Sequence, residues 1–73
     1  MKIYQIYDEV NEKAGLLQTD APDTIDFNQL YIESAEDMWN ETTESTQFND
    51  EWEFFIYKLQ TLGYNANRIF IEN

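Results

Sequence analysis

Residues 48–63 read FNDEWEFFIYKLQTLG, and the reading of this stretch decides the fold. Trp52, Phe55, Ile56, Leu59 and Leu62 recur at the spacing of one helix face. Asn49 or Asp50 is placed to cap the start, with Phe48 set for a hydrophobic staple. Asp50, Glu51 and Glu53 near the start and Lys58 near the end match the polarity of the helix macrodipole. Gly63 supplies a stop. The spacing predicts a helix over 50–62. Beyond it, Tyr64-Asn65-Ala66-Asn67 turns the chain and Arg68-Ile69-Phe70-Ile71-Glu72 reads as a strand. Ile69 and Ile71 take one face of it and Phe70 the other.

Upstream, residues 41–47 are polar, have no apolar anchor and read as an exposed loop. Before them, Phe27, Leu30, Tyr31, Ala35, Met38 and Trp39 fit one helix face, while Ile32 falls off it. Pro22 suits the first turn of that helix, and Asp20, Asp23 and Asp26 lie where they would cap it. Ser34 followed by Asp37 resembles a capping box, so residues 24–41 form one helix or two. A strand at Leu30–Glu33 followed by a helix is a weaker alternative.

At the N-terminus, Ile3, Tyr4, Ile6, Tyr7 and Val10 favour a strand over 2–9. Residues 11–15 are turn-like, with Gly15 suited to a positive φ. Residues 16–19 then pair back as a hairpin. The competing reading is a helix from Asp8 to Leu17 with Val10, Ala14 and Leu17 on one face. The preferred order is ββ(α)αβ. It makes a small α+β fold, one domain over 1–73, with a three-stranded antiparallel or mixed sheet and one or two helices packed on one face.

The chain has 73 residues, with no cysteine and no histidine. Disulfides, thiolate metal sites and the usual general base near neutral pH are excluded. Five Phe, five Tyr and two Trp must supply the core. No apolar run reaches the length of a membrane span and no secretory leader is visible, so a cytoplasmic location is expected.

From Gly15 to Tyr57 there is no lysine or arginine, and the stretch carries eleven carboxylates. The net charge of the chain is −11. Such a chain is repelled by nucleic acid and by anionic lipid, so direct binding to either is not expected. It is drawn to a basic protein surface. Asp20, Asp23, Asp26, Asp50, Glu51 and Glu53 have a local explanation at helix starts. Glu33, Glu36, Asp37, Glu41 and Glu44 have none. These five, with Asp50 and Glu51 and the more open aromatics Tyr31 and Tyr57, are the candidate partner-binding residues. Trp39, Trp52, Phe55 and Leu59 read as core.

The acidic clusters lack the alternation, central glycine and distal glutamate of a calcium loop, so no metal or other cofactor is expected. A carboxylate acid/base pair needs a deep cleft that 73 residues hardly build. With no phosphate loop, nucleophile elbow or Ser/His pair, the chain reads as a non-enzyme.

Short length, absence of Cys and His, dense aromatics and the acidic block Asp20–Glu53 together resemble the small acidic inhibitors that phages and mobile elements use against bacterial defence. These include anti-CRISPR proteins and DNA-mimic inhibitors of restriction enzymes or DNA glycosylases. The resemblance is one of type and carries over no residue roles. It implies an inhibitor in the host bacterial cytoplasm that occupies the nucleic-acid or PAM-reading groove of a nuclease, such as a CRISPR effector. Some members instead lock a conformation or block assembly. The alternative reading is a small non-catalytic interaction domain with a regulatory or assembly role.

Overall fold

A computed structural model describes residues 1–8 and 12–70. Strands β1 (Lys2–Asp8) and β2 (Lys13–Thr19) are followed by helix α1 (Phe27–Trp39), a 3-10 turn at Ser45–Gln47, helix α2 (Glu51–Thr61) and strand β3 (Ala66–Ile69). The sheet is antiparallel throughout, in the order β1-β2-β3. This is the expected α+β fold, with both helices on one face. Helix α1 lies over β1, and α2 lies over β3.

The hairpin reading holds over the helix alternative, with Lys2 opposite Thr19 and Ile6 opposite Gly15. Val10 and Asn11 lie outside the described residues. The positive φ of the hairpin falls on Glu12, at 53°, and not on Gly15. Gly15 is instead inside β2, where its missing side chain makes room for the Trp52 ring.

Helix α1 is a single helix. Its start is set by Asp26, whose Oδ1 accepts from the Gln29 N–H at 3.1 Å. Pro22 lies ahead of the helix, in a turn closed by Ile25 N–H donating to the Pro22 carbonyl. No break occurs at Ser34, which does not act as a cap: its buried Oγ donates to the Leu30 carbonyl at 2.8 Å instead of accepting from a backbone N–H. At the far end, Thr42 N–H donates to Asp37 O and Glu41 N–H to Met38 O, a Schellman closure with Glu41 in the left-handed region at φ 53°.

Helix α2 starts at the cap Asp50, whose Oδ1 accepts from Glu53 N–H at 2.9 Å, while Glu53 Oε2 accepts from Asn49 N–H at 2.7 Å. Phe48 stacks on Phe54 with ring centroids 5.2 Å apart, as the staple reading expects. The helix ends in a second Schellman closure around Gly63, at φ 96°. Strand β3 begins two residues earlier than expected, and Ile71 and Glu72 lie outside the described residues.

The core lies between the layers and joins Ile6, Leu17, Phe27, Tyr31, Trp52, Phe55 and Leu59. Tyr31 meets Trp52 and Phe55, and Asp37 meets Lys58. Contacts thus advance together along α1 and α2, and the two helices run in the same direction. Residues 40–50 carry the chain back along them.

Side chains alternate across each strand. In β1, Tyr4 and Ile6 point to the helices and Ile3, Gln5 and Tyr7 away. In β2, Ala14, Leu16 and Gln18 point away, and in β3, Asn67 and Ile69 do so. None of these outward side chains is charged.

Candidate partner-binding surface

The acidic side chains sit on the helix layer and at its ends. Glu33 and Glu36 share the outer side of α1 with Gln29, whose Nε2 donates to Glu33 Oε1 at 3.4 Å. One turn separates the two glutamates, about 5 Å along the axis. Both are exposed. Glu41 and Glu44 are exposed beside the last turn of α1. They are held there by Ser45, which is buried and whose Oγ lies 2.8 Å from the Thr42 carbonyl and 3.1 Å from that of Asp37. The stretch 41–47 is exposed as expected, apart from the buried Ser45, whose hydroxyl ties it to the end of α1.

Other candidates are already engaged within the fold. Asp37 is half-buried and paired with Lys58 Nζ at 3.0 Å, and that ammonium also lies 4.6 Å from the centre of the Phe54 ring. Asp50 caps α2. Glu51 Oε1 accepts from the Tyr31 hydroxyl at 3.1 Å. Tyr31, read as an open aromatic, is only 1% exposed and lies in the core. It stands near the middle of the buried side of α1, so it cannot anchor a partner. Tyr57 is half-buried against Phe48, with centroids 4.9 Å apart.

Trp39 is also placed differently from its sequence reading. It was expected in the core, and it is 88% exposed. Phe27, Tyr31 and Ser34 define the buried side of α1. At about 100° per residue, Trp39 lies roughly 100° around the axis from the centre of that side. The signal that could have found it is Ser34: counting this small polar residue as buried rotates the face away from Trp39. The exposed indole now stands beside Glu36 and Glu41, on the last turn of α1. Leu62, placed by its spacing on the apolar face of the helix, is exposed at the end of α2. Phe54, left off the predicted face, is buried under Phe48 and beside Tyr57.

The three N-terminal aspartates have separate tasks. Asp26 caps α1, and Asp23 faces Lys2 at 3.9 Å across exposed surface. Asp20 accepts from Asn65 N–H at 2.9 Å and Nδ2 at 2.8 Å. The side-chain hydrogen bond from Asn65, followed by the backbone one, lowers the Asp20 pKa below its ordinary value. Among the described residues, no three acidic side chains come together as a metal site, and no helix is long and apolar enough to cross a membrane.

The described ion pairs use Lys2 and Lys58. Arg68 stacks on Trp52 and on Phe70, 4.7 and 4.6 Å from the ring centres. Glu33, Glu36, Glu41 and Glu44 therefore stand without a cation among the described residues. No family model, no curated protein and no solved structure matches the chain.

Proposed function

We propose that this chain is a stoichiometric, non-enzymatic protein inhibitor. It presents an acidic, DNA-like surface to the nucleic-acid-binding groove of a nuclease or another DNA-binding defence enzyme, with a CRISPR–Cas effector as the first candidate. One observation carries the reading. Among the described residues, Glu33, Glu36, Glu41 and Glu44 are exposed on the helix layer with no cation beside them, while the outward side chains of the sheet carry no charge.

A one-signed surface raises the encounter rate with a basic groove and rejects acidic competitors. Lysines and arginines arranged for phosphates accept carboxylates by the same charge-assisted hydrogen bonds. The exposed Trp39 beside Glu36 adds a flat apolar plate on which an arginine can stack. The sequence offers Tyr31 and Tyr57 as the partner-binding aromatics; Tyr31 is buried, and we give that role to Trp39. The action would take place in the host bacterial cytoplasm.

The test is a binding screen against purified nucleases, with DNA as competitor. Binding should weaken steeply as salt rises and be displaced by DNA. Reversing Glu33, Glu36, Glu41 and Glu44 to lysine should abolish it. If the reversed protein bound the same partner with unchanged affinity and salt dependence, mimicry would be ruled out, and the chain would be better described as an interaction domain of another kind.

A further inference from the structure

We infer that the open face of the sheet is where two copies of this chain meet, back to back, in a two-fold symmetric dimer. The inference rests on the sheet and is independent of the proposed inhibitor function.

An antiparallel sheet with one solvated face normally alternates apolar side chains inward with polar ones outward. Here the outward positions include Ile3, Tyr7, Leu16 and Ile69. Ile3 is 57% and Tyr7 44% exposed. Leu16, on the central strand, pairs with Ile69 on one side and with Gln5 on the other, and Tyr7 pairs with Ala14, so apolar pairs alternate with the amides of Gln5, Gln18 and Asn67 across the face. Apolar side chains at positions that ordinarily carry polar ones point to an interaction face.

Charge selects the occupant. The chain carries −11, so a second copy is repelled from the helix layer. Among the described residues, the open face has no charged side chain to oppose it. A basic partner is drawn to the other side of the molecule and gains nothing here. The polar groups described on the face are the Tyr7 hydroxyl and the amides of Gln5, Gln18 and Asn67. An amide both donates and accepts, so it pairs with its own kind across a two-fold axis, as a carboxylate or an ammonium cannot.

Size sets the strength. Three strands spaced about 4.8 Å apart, the longest of seven residues, give a face of about 14 × 23 Å. This is small for a stable interface, so the dimer is weak and forms reversibly with concentration. The product is a four-layer α/β/β/α particle with two sheets packed about 10 Å apart. Both acidic helix layers face outward.

Sedimentation equilibrium on the full chain tests this. The mass should rise with concentration toward twice 8.8 kDa, with association tightening as salt rises to about 1 M, where screening is nearly complete. Leu16→Glu should raise the dimer dissociation constant about 100-fold or more, because it places like charges at the centre of the face. Circular dichroism should report the same fold, since this side chain points away from the core. Backbone amide shifts of Ile3, Leu16 and Ile69 should move on dilution of the wild type, and those of Glu33 and Glu36 should not. A wild-type monomer at every salt concentration would overturn the inference and give the face to a different protein. So would a dimer that Leu16→Glu leaves intact.

Discussion

Glu41 and Gly63 occupy the same position in two versions of one motif. Each is the left-handed residue that closes a helix, with φ of 53° and 96°. Each donates its N–H back into the last turn, to Met38 and to Gln60, while the residues that follow reach Asp37 and Leu59. Glycine takes this conformation freely, whereas a side chain there costs about 1–2 kcal/mol. Glu41→Gly should therefore stabilise the protein by about 1 kcal/mol in urea unfolding. If the Glu41 carboxylate contacts a partner, the same variant should bind that partner more weakly. Higher stability with lower affinity would identify residue 41 as a position where folding and function pull apart.

The second prediction concerns Gly15 and Trp52. A Cβ on Gly15 would lie 2.5 Å from Trp52 Cζ2, closer than any real contact allows. Gly15→Ala should destabilise by about 1–3 kcal/mol, as overpacking does. In a Trp52→Ala background the alanine should add little further loss, because the obstructing ring is gone. Additive losses in this double-mutant cycle would show that Gly15 is needed for backbone freedom instead.

These two glycines show where the sequence was legible. Gly63 ends a helix whose apolar spacing is regular, and both the helix and its stop were readable. Gly15 was read as a turn glycine because it follows Asn11-Glu12-Lys13-Ala14. Its actual reason lies 37 residues downstream in the Trp52 ring, which no local pattern contains. The candidate surface divides in the same way. Exposure of Glu33, Glu36, Glu41 and Glu44 follows from charge alone. Burial of Tyr31 and exposure of Trp39 depend on how far α1 is rotated about its own axis. The apolar set tolerates two rotations, and the choice between them is made by Ser34, whose hydroxyl is satisfied within the helix and so can be buried.

The third prediction concerns pH. The two hydrogen bonds from Asn65 hold Asp20 in its charged form and lower its pKa in the folded state. A lowered folded pKa adds stability above the unfolded value, and that stability is lost as pH falls through the folded value. Unfolding of the wild type and of Asp20→Asn should thus differ at neutral pH and converge in acid. In the Asn65→Ala variant, the NMR titration of Asp20 should move up toward the ordinary carboxylate range. An unmoved titration would remove Asn65 as the cause.

The fourth prediction separates the two tryptophans. Trp39→Ala should change stability by less than about 0.5 kcal/mol, because the indole is almost fully exposed. Trp52→Ala should cost about 3–5 kcal/mol. If Trp39 anchors a partner, its removal should weaken binding about tenfold or more. Unchanged affinity would confine recognition to the carboxylates.

The shared direction of α1 and α2 gives the molecule an electrical axis. In an antiparallel pair the two peptide dipoles cancel; here they add, with both carbonyl ends at the same pole. Glu41 and Glu44 stand at the α1 end of that pole, where the last turn of α1 has no basic side chain. The opposite pole carries Asp26, Asp50, Glu51 and Glu53, whose charges offset the exposed N–H groups of both helix starts. Negative potential is thereby spread over both ends of the helix layer, by carbonyl groups and glutamates at one end and by capping carboxylates at the other.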